Sequence, residues 1–131
     1  MNQKQNRRAL LIVALMLCLP VSQGFGADDI FIEGALEYYR SSVIESKEIQ
    51  CNYEEAFFTG QTTGLYILMC YIADDQIGVS NGVLYEVVAR YIYDHPEARN
   101  NHVQDIVLDA LKEKWPEWAI SVMVGFLGAR Q

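Results

Sequence analysis

The residues that could do covalent chemistry are few. Beyond Cys18, which sits in an apolar leader, the chain has two cysteines, Cys51 and Cys70, and two histidines, His95 and His102. A thiol beside an imidazole is a minimal nucleophile–base pair. The surroundings favour plainer roles. His95 precedes Pro96 where an apolar periodicity ends, a place where an imidazole caps helix carbonyls. His102 opens the next periodic segment, where it faces solvent. Both cysteines stand among apolar residues and read as small core side chains. The carboxylate pairs Glu54-Glu55 and Asp74-Asp75 are weak acid–base candidates, because adjacent residues on a helix do not face each other. The Asp74 to Gly78 stretch also lacks the alternating oxygens of a calcium loop. There is no C-x-x-C, no phosphate-cradling glycine loop and no G-x-S-x-G. The expectation is a protein without catalytic residues, metal or cofactor.

The elements that would position these residues read as helices. Ile32, Ala35, Leu36, Tyr39 and Val43 keep the spacing of one helix face, with Asp28 and Asp29 at its start. Tyr53, Ala56, Phe57, Gly60, Gly64, Ile67, Leu68 and Tyr71 form a stripe five turns long, predicted to face inward. Gly60 and Gly64 cost helix stability, and close approach of another helix would compensate. Asp74 to Gly78 is a turn, and Ser80 or Asn81 caps a third helix with Leu84, Val87, Val88 and Tyr91 inward. Pro96 stops it. Glu97 to Asn101 is a polar connector. Val103, Ile106, Val107, Ala110 and Leu111 line a fourth helix that ends at Trp115-Pro116. Ala119, Val122, Met123 and Phe126 keep helical spacing in an apolar tail, which is expected to close the core or an oligomer interface. No period-two stretch is long enough for a strand. The predicted fold is all-α, a compact bundle of four helices plus a short C-terminal helix.

Residues 1–26 read as a secretory signal peptide: a basic start with Lys4, Arg7 and Arg8, the apolar run 9–19, then Gly24 and Gly26 before a cut at Ala27. The run is too short to span a bilayer. The whole chain carries −7, and the 105 residues after the leader carry −10. That charge disfavours nucleic acid and an anionic membrane surface, and favours a partner with a basic face. Residues 27–131 are long enough for one domain with a real core. In an oxidising compartment Cys51 and Cys70 invite a disulfide. If the 19 steps between them are mostly helical they lie about 28 Å apart, and a bridge needs Cα atoms within about 7 Å. Two free thiols or an intermolecular bridge remain open.

From Tyr53 to Pro116 an ordered set of residues resembles the Rap/Tai immunity family of type VI secretion. Cys51-Asn52-Tyr53 opens a helix holding Gly60 and Gly64, with Cys70 near its end. Gly78-Val79-Ser80 follows. Val87-Val88-Ala89-Arg90-Tyr91-Ile92 leads into His95-Pro96-Glu97, and Asp105 to Leu111 leads to Trp115-Pro116. The chain departs from the family where Glu117 stands in place of a cysteine and where Glu37 to Ser46 lacks one. The usual bridging partners of Cys51 and Cys70 are therefore missing.

The resemblance implies a periplasmic immunity protein, often a homodimer, that binds and sterically blocks a secreted amidase effector cutting peptidoglycan stem peptides with a Cys–His site. The alternative is an acid-stress chaperone of the periplasm resembling the HdeA kind, since seventeen carboxylates permit acid destabilisation. For the first reading, two polar loops are the candidate contacts: Asp74, Asp75 and Gln76 in one, and Glu97, Arg99, Asn100 and Asn101 in the other. The second is preferred, because Pro96 stiffens its entry and a stiffened loop loses less entropy on docking.

Overall fold

A computed structural model describes residues 27–46 and 52–128. The leader and Cys51 lie outside the described residues. Among the described residues five α-helices follow one another: α1 (Ala27–Tyr38), α2 (Tyr53–Ala73), α3 (Asn81–Asp94), α4 (Val103–Lys114) and α5 (Pro116–Gly128). A π-helical turn, Tyr39–Ile44, prolongs α1, and a 3-10 turn, Pro96–Asn100, joins α3 to α4. Among the described residues there is no strand, so the all-α bundle expected from the sequence is the fold. None of the described helices is long and apolar enough to cross a membrane.

The breaks fall where local chemistry puts them. Asn52 caps α2, its side chain accepting the Glu55 amide at 2.8 Å. Asp74 ends α2 in the left-handed region, at φ 56°. Pro96 and Pro116 each open the turn or helix after a break, the place where a missing N–H is harmless.

α1 lies on α2 and α3, α3 lies on α4, and α5 closes the bundle across α2 and α4. The core begins with an aromatic cluster. Phe31 meets Phe58 with centroids 5.2 Å apart, Phe58 meets Tyr38 at 5.7 Å, and Tyr38 meets Tyr85 edge-on at 5.9 Å. Leu84, Val88 and Ile92 of α3 and Ile106, Val107 and Leu111 of α4 continue it, and Trp118, Ala119 and Val122 of α5 complete it. The apolar tail thus packs one face into the core, while Ile120, Met123, Val124 and Leu127 stay exposed.

Two glycines set the helix spacing. A Cβ on Gly34 would lie 2.0 Å from the Glu54 carbonyl oxygen, and one on Gly125 would lie 2.0 Å from that of Ile72. Both α1 and α5 therefore cross α2 backbone to backbone.

α2 corrects the sequence reading. Its buried residues are Glu55, Phe58, Thr62, Met69 and Ile72. The predicted inner stripe faces out: Tyr53 is 67% exposed, Tyr71 58% and Ile67 48%. Nothing lies within 4 Å of a Cβ built on Gly60 or Gly64. The helix is apolar on two sides, and the side with a glutamate and a threonine is the one that α1 and α5 cover. α1 is also rotated from expectation, with Phe31 and Tyr38 buried beside Ala35 while Ile32, Leu36, Tyr39 and Val43 pack at the margin.

Candidate partner-binding surface

The two polar loops sit at opposite ends of α3, a helix of 14 residues, or about 20 Å at 1.5 Å per residue. They do not converge on one site.

The first loop is held from both sides. The Asp74 and Asp75 amides both donate back into the last turn of α2, to Cys70 O. The Asp75 carboxylate accepts the Gln76 amide at 2.9 Å, and its carbonyl accepts the Trp118 indole N–H at 3.2 Å. The Ile77 amide donates to the Tyr66 hydroxyl at 2.9 Å. Asp74, Asp75 and Gln76 remain exposed above this anchored backbone.

The second loop is built from the end of α3. The His95 amide and its Nδ1 both lie 2.9 Å from Tyr91 O, and a carbonyl only accepts, so Nδ1 carries the proton. The imidazole stacks on the Tyr91 ring with centroids 4.2 Å apart. His95 thus plays the capping part expected of it. After Pro96 the chain makes one 3-10 turn, pinned by buried Ala98. Arg99 then folds back: its Nε donates to Ile92 O at 3.1 Å and a terminal nitrogen to Tyr93 O at 3.3 Å. It satisfies carbonyls at the end of α3 and complements that helix's dipole. Arg99 is therefore a fastening, while Glu97, Asn100 and Asn101 project into solvent as a fixed polar ridge.

Beside this ridge a cleft of about 330 Å³ opens between α3 and α4. Val87, Tyr91 and Ala110 form its floor, and Glu86, Arg90, Asp94, Glu113 and Lys114 its walls. Arg90 is paired with Glu86 at 3.0 Å. Burial, and then the charges of Asp109, Glu113 and Glu97, push the Tyr91 phenol up. Glu97 of the ridge and Glu113 of the cleft thus both bear on this phenol, while Arg90 and Lys114 line the same cleft. Sequence reasoning missed the cleft, because Val87 and Tyr91 were assigned to the core. The available signal was Glu86, Arg90 and Asp94 at four-residue steps on the same helix face.

Among the described residues no thiol–imidazole pair assembles. Cys70 lies near the first loop, hydrogen-bonded to Tyr66, and burial pushes its thiol up, away from the thiolate. Both histidines are at the other end of α3. Asn52 lies about 27 Å along α2 from Cys70, and the expected choice between a Cys51–Cys70 bridge and free thiols falls on Cys51, outside the described residues. Glu54 and Glu55 diverge, Glu55 turning inward to 2% exposure. Among the described residues no group of three or more His, Cys, Asp or Glu could hold a metal. No family model, curated protein or solved structure matches the chain.

Proposed function

We propose that this protein is a periplasmic immunity protein that binds a secreted peptidoglycan amidase and covers its active-site cleft. The observation that carries this reading is the ridge of Glu97, Asn100 and Asn101, an exposed polar turn with its backbone already fixed by Pro96, Ala98 and the Arg99 hydrogen bonds. A turn held this way docks with little ordering cost. Its acceptors can engage the donors that line a Cys–His cleft, and the carboxylates around Tyr91 favour a basic partner and speed its approach. Inhibition is steric and asks no chemistry of Cys70, His95 or His102. The sequence resemblance points the same way.

The acid-chaperone alternative gains no support from Glu55. Burial raises that carboxyl, so the fold holds its proton tightly and this group makes the bundle firmer in acid.

The test is protection. A sensitive cell that exports the cognate amidase should survive when the wild-type chain is exported with it. A variant carrying Glu97→Ala, Asn100→Ala and Asn101→Ala, with Arg99 kept, should preserve the helical circular dichroism and lose protection. Full protection by that variant, with protection abolished by changes at Asp74, Asp75 and Gln76, would move the contact to the other end of α3 and overturn the assignment.

A further inference from the structure

The outward stripe of α2 is the most unusual surface of the molecule. From Ala56 to Ala73 the helix carries no charged residue, in a chain with seventeen carboxylates. Tyr53, Ile67 and Tyr71 stand well exposed along it. Between them lie Gly60 and Gly64, with open space where a Cβ would be. Elsewhere in this fold, mid-helix glycines at Gly34 and Gly125 are where another helix crosses with its backbone in contact. Gly60 and Gly64 weaken α2 and have no such crossing within the chain.

The order of residues on the stripe says what fits it. Read outward from the level of residue 62, three of its four pairs match in kind, Gly60 with Gly64, Phe57 with Ile67 and Tyr53 with Tyr71, while Ala56 stands at the level of Leu68. A two-fold axis at that level superposes small on small, large apolar on large apolar and tyrosine on tyrosine. Self-complementarity of this kind is the condition for an isologous contact. The absence of charge suits it as well, because two copies of a strongly acidic chain repel except where neither presents a carboxylate.

We propose that the outward face of α2 docks onto the same face of a second copy, the two helices running antiparallel and crossing at Gly60 and Gly64. The contact lies on a different helix from the polar ridge and does not depend on the function proposed above. One helix face is smaller than the roughly 800 Å² per partner of a standard interface, so the dimer is weak, with a dissociation constant on the order of micromolar.

Sedimentation of the whole mature chain across concentration reads the equilibrium. Dimer should accumulate between about 1 and 100 micromolar. A chain that stays monomeric throughout that range overturns the proposal. Ile67→Glu with Tyr71→Glu, both at exposed positions, should leave the helical signal unchanged and weaken association at least tenfold; undiminished association would place the contact elsewhere and overturn it. Gly60→Ala with Gly64→Ala should raise the melting temperature of the dilute monomer yet weaken the dimer, whereas dimerisation as tight as wild type would refute a crossing at the glycines. Orientation is read by oxidative cross-linking with Cys51 and Cys70 changed to serine. Mixed Ala56→Cys and Ile67→Cys chains should form a disulfide, and neither alone should, because like positions stand about 15 Å or more apart along an antiparallel pair. Efficient cross-linking of either variant with itself would overturn the antiparallel arrangement.

Discussion

Gly125→Ala and Gly60→Ala are the same chemical change in two surroundings, and the structure gives them opposite signs. At Gly125 the new methyl would meet the Ile72 carbonyl at 2.0 Å, with the Ile72 carbon at 2.8 Å and a side-chain methyl at 3.2 Å. The nearest obstacle is backbone, so no rotamer relieves it. α5 must retreat by about 1 Å before the contact becomes tolerable, and a gap of that size forfeits a quarter to a half of each dispersion contact behind it. The contacts behind it are those of Trp118, Ala119 and Val122. Overpacking of this kind costs about 1–3 kcal/mol or more, and alanine's helix propensity returns only about 1 kcal/mol. The expected net loss is about 1 kcal/mol, which in a domain of this size lowers the melting temperature by roughly 4–8 °C. Gly60→Ala meets nothing and should gain about 1 kcal/mol from propensity alone. Urea unfolding of wild type and both variants, at dilution, with the fluorescence of Trp115 and Trp118 and circular dichroism as independent probes, measures the difference. If Gly125→Ala unfolds at the wild-type urea midpoint or above it, the α2–α5 crossing is not as close as described and the reasoning fails.

Two further substitutions have worked signs. Glu55 is raised chiefly by burial, against a hydrogen bond from Ser41 at 3.3 Å, with Glu37 adding to the rise and Arg40 opposing it; its second oxygen has no partner. The folded chain then binds this proton more tightly than the unfolded chain does, so the group's contribution is full in acid and is lost as pH rises through the folded pKa. Glu55→Gln should match wild type near pH 4 and exceed it by about 1–3 kcal/mol at pH 8, as read by urea midpoints at the two pH values; an equal loss at both would remove ionisation as the cause. Arg99→Ala strips two hydrogen bonds from the end of α3 and should cost about 2 kcal/mol, with Arg99→Lys recovering part of it, and an unchanged denaturation midpoint would show that the fold-back adds nothing.

How far the fold could be read from sequence depended on how charge was distributed around each helix. α4 was legible to the residue: Val103, Ile106, Val107, Ala110 and Leu111 are the buried set, because Asp105, Asp109, Lys112 and Glu113 leave only one face free of charge. The proline breaks were legible for steric reasons. α2 was not. Its charges are confined to Glu54 and Glu55 at one end, so both faces satisfy the same periodicity, and two glycines suggested burial where the chain leaves them open. The second loop was legible as an exposed polar turn, yet the direction of Arg99 was not, since its acceptors are backbone carbonyls that carry no signal in residue type. The cleft stayed hidden because Val87 and Tyr91 are half-buried, and a hydrophobic pattern does not separate the wall of a groove from the interior.

The π-helical turn between Tyr39 and Ile44 has a bearing on how the length of this chain could vary. Such a turn holds one residue more than an α-helical turn does, usually as a local bulge within a helix. Here it follows the segment of α1 that carries Phe31, Ala35 and Tyr38 into the core, and none of its own residues is fully buried. Loss of one residue from this stretch would convert it to ordinary α-helix and swing whatever follows by about 100° around the axis, without disturbing the aromatic cluster upstream. The stack of Tyr39 on Tyr93, at 4.5 Å, marks the last point at which α1 is tied to α3 by an aromatic contact. A change of length within Tyr39–Ile44 would therefore spare the aromatic cluster while displacing the Ser41 contact to Glu55 and Val43 at the core's margin, which makes this turn a place where a variant can differ in length while keeping the same aromatic core.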